Sequence, residues 1–474
     1  MFINILAYEF KLLSRNNWLL ILSFTLVLLI GFSSVNGSEN INKRIVDINK
    51  MEQEFYEKDS LMKTTLAKIE NGETVDLPYW QLPSEPMTIG NRYPRLAVMY
   101  PEALSFISTG QSDMYTHFIS PKVYGNNFAL DYSEMINPVQ LIFGNFDIAF
   151  VLIYILPLLI IAFTYNVLSK EKELGTLRLL ASQPISTNSW LLQKMTIRFI
   201  VFTILTSSIL SVVIALFSID GQLRFSEAMA LHTLTTCYNL FWFIIAYVIN
   251  VKVNDSSKNA ITLIGFWLLS VLIIPATVNQ IGGALYPTPS RLKLINEIRL
   301  IKKENEEQQN EIMDSYLRNH PELAEGSNKD QFGFWHNYFA SEKVMEEKTK
   351  PLLTAYDTQL KKQQKLIMNF QFLSPAILMQ QSLNKIAASS ELNYNDYKSQ
   401  VFEFSKKWRN YLTPMLFKQQ KFTMFNYNEL PRFKYINRIA NNVWTNVLVV
   451  FIINMSILIL FGGWKQNYKT GNKF

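Results

Sequence analysis

Four histidines, at positions 117, 232, 320 and 336, are the side chains that could ligate a metal or move a proton near neutral pH. They are scattered over three regions with no His-Glu-x-x-His or Cys-x-x-Cys spacing, so each reads as a satisfied structural histidine. The one cysteine, Cys237, lies in an apolar run and has no partner for a disulfide within the chain. No Gly-x-Ser-x-Gly elbow offers a nucleophile, and no Gly-x-x-x-x-Gly-Lys-Ser/Thr loop offers a phosphate cradle. The chain is therefore expected not to be an enzyme and to hold no metal or cofactor of its own; if ATP is used, another chain binds it. Asp113 and Asp147 could take a cargo group or a cation, although lone loop aspartates more often cap or turn.

Charged residues at apolar boundaries carry more information. The stretch SKEKELGTLRLLASQP, Ser169 to Pro184, is polar and helix-forming, yet it lies between two long apolar runs. On a helix, Leu174, Leu177, Leu180 and Ala181 fall on one side, with Lys170, Glu171, Lys172 and Arg178 over much of the rest. Gly175 then sits in a helix interior, where one reason to keep it is close approach of another backbone. Pro184 ends the helix, and Ser186 or Thr187 can cap the next.

The elements around this stretch follow from composition. The chain of 474 residues is 49% hydrophobic and 18% charged, too charged for a wholly intramembrane protein and too clustered in its apolar residues for a soluble one. Six apolar segments approach the roughly 20 residues needed to span a bilayer: Trp18 to Val35, Ile148 to Leu168, Ile197 to Ile219, Ala228 to Val251, Ala260 to Gln280 and Val443 to Phe461. The first lies behind a helical lead and lacks a small-x-small cleavage site, so it reads as a retained span rather than a signal peptide.

Lys11 and Arg15, then Lys170, Lys172, Arg178, Lys194 and Arg198, then Lys252 and Lys258, then Lys465, Lys469 and Lys473 all fall on one side of the predicted spans, whereas SIDGQLRFSE on the other side has only Arg224. Cations resist translocation, so both termini and the 169–190 loop are expected in the cytoplasm. Residues 36–147 and 282–442 are then extracytoplasmic segments. The first opens with a helical period at Ile41, Ile45, Ile48, Phe55, Leu66 and Ile69 and turns loop-rich around several prolines. The second reads as almost entirely helical.

At the N-terminus, Phe2, Ile3, Ile5, Leu6, Phe10, Leu12 and Leu13 form one arc, with Asn4, Lys11 and Arg15 opposite, as suits a helix lying in the membrane interface. Glu9 and Arg15 are its candidate pairing residues. Glu9 points into the apolar arc, where a carboxylate needs either a cation, with Arg178 the preferred partner, or a path to the headgroups. Pro157 and Pro275 interrupt the second and fifth spans and allow bends. His232, Asn239, Asn279 and Gln280 could face a translocation path, or bond helix to helix.

The pattern EKELGTLRLLASQPIS, leading to Lys194, resembles the coupling-helix region of ABC transporter permeases of the second export class. GQSD from Gly110, NPVQLIFGNFDIAFVLIYILPLLIIAFTYNVLSKEKELGTLRLL from Asn137 to Leu180, and FLSPAILMQQSL from Phe372 to Leu383 resemble the subgroup with large extracytoplasmic insertions after the first and fifth spans. The resemblance implies an α-helical polytopic membrane protein with six transmembrane helices, an N-terminal interfacial helix, a cytoplasmic coupling helix and one outer body built from both insertions. It implies that Glu171, Glu173, Leu174, Gly175, Thr176, Leu177, Arg178 and Pro184 face a separate ATPase, which binds ATP and Mg. The expected assembly is two ATPase subunits with a second permease copy or a sister permease, surrounded by lipid in a bacterial inner membrane, with no nucleic acid. The expected function is export or extraction of a lipid, lipopeptide or peptide. Mechanotransmission without cargo, or a receptor or scaffold with no ATPase, are the alternatives.

Overall fold

The computed structural model describes residues 2–15, 17–110, 112, 115–123, 145–177, 186–219, 223–287, 291–307, 334–439 and 443–462. Arg178, Pro184, Asp113 and the cations of the C-terminal tail lie outside them. Five described helices have an apolar stretch long enough to cross a membrane, and a further apolar helix lies near the C-terminus. The chain is an α-helical, multi-pass membrane protein.

Helix α1 (Phe2–Arg15) leads into α2 (Trp18–Glu70), which runs for 53 residues, about 80 Å at 1.5 Å per residue. Its first part exposes Leu20, Phe24 and Phe32, an outward apolar surface suited to lipid. Its second part buries Ile41, Ile48, Met62 and Leu66 along one stripe. Apolar span and amphipathic outer helix are thus one element. No glycine or proline pair breaks it, and Gly37 sits where the helix meets a neighbouring backbone rather than at a bend.

The other helices with a membrane-length apolar stretch are α4 (Ile148–Phe150, Val151–Ile155 and Leu156–Thr164), α6 (Thr187–Phe217), α7 (Phe225–Lys252) and α8 (Ser256–Leu285), and the shorter apolar helix near the C-terminus is α14 (Val443–Gly462). Between them α5 (Ser169–Glu173) forms a short helix after α4. Both prolines that interrupt spans follow a wide π-helical turn, Val151–Ile155 before Pro157 and Leu268–Ile273 before Pro275. Proline has no N–H to give, so carbonyls one turn earlier lose their donor. A hydroxyl from another element replaces it in each span. Tyr238 Oη donates to the Ile153 carbonyl at 2.9 Å, and Ser374 Oγ to the Ser270 carbonyl at 2.6 Å.

The body beyond the spans combines both long segments. α3 (Pro86–Arg92) packs on α12 (Glu391–Phe417), with Trp408 Nε1 donating to the Gly90 carbonyl at 3.1 Å. Strands β1 (Ala97–Val98) and β2 (Phe118–Ile119) pair antiparallel, Ala97 opposite Ile119, and the Tyr397 hydroxyl donates to the Ala97 carbonyl at 2.9 Å. Asp59 on α2 accepts from Arg95 at 2.9 Å and from Tyr427 at 2.5 Å, the latter on α13 (Met424–Glu429). α9 (Arg291–Glu307) and α10 (Phe334–Asn369) pack on each other, and α10 also on α8.

One helix of the second segment leaves this body. α11 (Pro375–Ile386), capped by Ser374, buries Leu378, Met379 and Leu383 in the same core as the spans and touches α7, α14 and both π-turns. It is distant from every span in sequence, yet it is a component of the bundle.

Candidate functional site

The cations that flank α4, α6 and α7 gather at one end of the bundle, where α5 and the turn after it are held on two sides. On one side Lys172 Nζ donates to Asn254, Glu173 Oε1 accepts from the Ser256 backbone N–H at 2.8 Å, and the Ser169 and Ser256 hydroxyls meet at 2.8 Å. Buried Asn250 and Asn259 lock the end of α4 from behind, donating to the Thr164 carbonyl at 3.1 Å and the Tyr165 carbonyl at 3.0 Å. On the other side Glu171 accepts from Thr176 and, at 3.4 Å, from Lys194 of α6.

Lys194 also faces Glu9, at 3.5 Å, and Arg198 donates to Glu9 Oε1 through Nε at 3.2 Å and Nη2 at 3.1 Å. Glu9 is 0% exposed. Arg198 Nη1 donates to the Phe163 carbonyl at 2.5 Å, and the guanidinium lies over the Phe163 ring. The partners of Glu9 therefore come from α6, four residues apart on one helical face, while the expected partner Arg178 lies outside the described residues. Arg15 is exposed and joins no ion pair among the described residues. The i, i+4 spacing of Lys194 and Arg198 puts both cations on the same side of α6, where one carboxylate can meet them.

The expectation of one helix from Ser169 to Pro184 is corrected at Gly175. α5 stops at Glu173, and Gly175 has φ +75°, the left-handed conformation that ends helices and that glycine adopts without strain. Among the described residues a Cβ there would meet nothing within 4 Å, so none of their backbones requires the glycine. The break also separates the apolar residues. Leu174 is 65% exposed at the tip, beside exposed Glu173 and Gly175, whereas Leu177 turns back against the core of the bundle. The result is a clamped loop with a small apolar tip.

The candidate path residues do not converge. Asn239 is buried and donates to Thr206 Oγ1 at 3.3 Å, joining α7 to α6, and His232 lies 3.3 Å from Ser211 on the same pair of helices. Pro157 is buried, Pro275 is half-buried, and Asn279 and Gln280 are exposed on α8. Asp147 caps α4, accepting from Phe150 N–H at 2.8 Å and from Thr109 N–H at 2.9 Å. His117 lies in the body beyond the spans, where burial and then the nearby Arg44 charge hold it well below its usual pKa and favour the neutral form. Among the described residues no three His, Cys, Asp or Glu side chains are grouped to hold a metal.

Residues 291–436 match a family described as a domain of unknown function (DUF3526). The match takes in α9 to α13, including the Ser374 cap, and excludes the clamped loop. No curated protein matches the chain.

Proposed function

We propose that the chain is the membrane-spanning permease subunit of an ATP-driven ABC exporter or extractor, with the loop after α4 as its contact for a separate ATPase. The observation that carries this reading is the clamped loop: Leu174 and Gly175 are presented outward while Lys172 and Glu173 are tied to Asn254, between α7 and α8, and to Ser256, at the start of α8, and Glu171 to α6 and, through Lys194, to α1. A displacement of the tip is thereby shared among several membrane helices. ATP and Mg are bound by the partner, in a complex of two ATPase subunits with a second permease copy or a sister permease. The cation asymmetry supports placing this end of the bundle in the cytoplasm of a bacterial cell. The cargo class that suits such a chain is an amphiphile such as a lipid, lipopeptide or peptide.

A second reading, in which ATP drives a change in the outer body with no cargo crossing, is favoured by α11. It joins that body to the bundle at both π-turns, and Ser374 supplies a hydrogen bond that the α8 backbone lacks. Movement of labelled lipid or peptide in liposomes separates the two readings.

The docking role is tested at the tip. Leu174→Glu should leave the chain in the membrane with an unchanged melting temperature, yet reduce the ATP hydrolysis that co-purifies with the tagged full chain by roughly tenfold or more, the loss expected for an apolar anchor at an interface. Undiminished hydrolysis in the Leu174→Glu preparation removes the loop from the interface. Leu177 is unsuitable for this test, because a charge there enters the core.

Orientation is tested separately. Cys237 is buried, which leaves a quiet background for thiol labelling. A cysteine at exposed Asn71 should react with an impermeant maleimide in intact cells, and one at exposed Ser257 only after permeabilisation. The opposite pattern inverts the topology.

A further inference from the structure

Beside the clamped loop, the bundle opens sideways into a notch of about 580 Å3 between the last turn of α1, the start of α2 and the ends of α4 and α6. Five cations line it: Lys11, Arg15, Lys170, Lys194 and Arg198. Lys194 and Arg198 are engaged by Glu9 and by Glu171, the one carboxylate in the lining. Lys11, Arg15 and Lys170 are exposed and meet no carboxylate among the described residues. The notch therefore holds an excess of positive charge that the described carboxylates do not neutralise.

Leu12, Leu13, Trp18, Phe163 and Val167 also line it, together with the polar Asn166. Trp18 stands half-exposed at the start of α2, the amphipathic ring that favours a membrane–water boundary. Directly along the same helix Leu20, Ile21 and Phe24 are exposed. A free anion would need only the cations. Cations beside a helix that exposes apolar side chains match a molecule with an anionic head and hydrocarbon chains.

We infer that this notch binds an anionic phospholipid, with the phosphate against Lys11, Arg15 and Lys170 and the acyl chains along the exposed face of α2. A lipid seated there touches α1, α2, α4 and α6 together, so it fills the side of the junction that the protein leaves open. The inference does not depend on an ATPase docking at the loop, and its test uses the permease chain alone.

The test is retention of fluorescent phosphatidylglycerol by the purified full chain in phosphatidylcholine nanodiscs. Phosphatidylglycerol should be preferred over labelled phosphatidylcholine by at least tenfold. The combined variant Lys11→Gln, Arg15→Gln and Lys170→Gln should lower that preference by roughly ten- to a hundredfold, given the contribution of each cation near an anionic headgroup. Lys258→Gln, at an exposed cation in the first turn of α8, should leave it unchanged. The single variant Arg15→Glu, at an exposed position, reads the same loss should the combined variant express poorly. Equal retention of the two lipids, or an unaltered preference in both charge variants, overturns the site. Displacement of the labelled lipid by millimolar inorganic phosphate identifies a free-phosphate site and overturns the lipid assignment.

Discussion

Glu9→Ala should lower the stability of the folded chain by about 3 to 5 kcal/mol, because it leaves Arg198 in a buried junction without a carboxylate and Lys194 with Glu171 alone. The side chains of Glu9, Lys194 and Arg198 are 1%, 11% and 13% exposed, so solvent screens the cluster little. Glu9→Gln preserves the shape and one acceptor, and should cost less than alanine but more than a surface substitution. Pairing Glu9→Leu with Arg198→Met should recover much of the loss, since a buried ion pair replaced as a unit by apolar groups is often tolerated. Thermal unfolding of the detergent-solubilised chain, followed by size-exclusion fluorescence, gives the order of the variants. A loss of only about 1 kcal/mol or less in Glu9→Ala, the level of an exposed pair, would mean that water reaches the cluster.

Gly37→Ala should destabilise the attachment of α2 to the outer body by about 3 kcal/mol or more, an unusually large effect for one methyl group. A Cβ at Gly37 would stand 2.2 Å from the backbone carbonyl oxygen of Phe106, in the short helical turn Ser105–Ile107. A backbone atom cannot swing aside as a flexible side chain can, so the helices must part. The hydrogen bond from Asn36 Nδ2 to the Phe146 carbonyl, 2.9 Å long and one residue away, would be strained with them. Gly31→Ala on the same helix is the control. Nothing lies within 4 Å of its added carbon, and exchanging glycine for alanine in a helix is neutral or stabilising by up to about 1 kcal/mol. Equal melting temperatures for the two variants would show that α2 and the Phe106 turn are not in contact.

Much of the architecture is legible in the residues because it depends on local rules. The apolar lengths mark the spans, and the period of Ile41, Ile48 and Leu66 marks the outer half of α2. The site is less legible, because it depends on which elements meet. The charge of Glu9 within an apolar arc shows that it needs a cation, but α6 supplies two that no local rule singles out over Arg178. Gly175 is ambiguous for a different reason: glycine suits a crowded helix interior and a left-handed helix end equally, and only the backbone conformation separates them. Pro157 and Pro275 reveal lost hydrogen bonds, whereas the replacement donors Tyr238 and Ser374 come from other helices. The burial of α11 is hidden most thoroughly. Its apolar face resembles that of any helix packed in a soluble body, and nothing in its own residues names the spans as its partners.

The unbroken course of α2 has a mechanical consequence. About 50 Å of the helix extends past its apolar span, at 1.5 Å per residue. A rod with no joint at the membrane boundary acts as a lever arm. If the span tilts by about 10°, the far end sweeps an arc of roughly 9 Å over that length. Asp59 and its partners lie toward that end, and α1 precedes the other. A displacement of less than a helix diameter in the bilayer would be magnified at the distal tip, with no bending of the chain between.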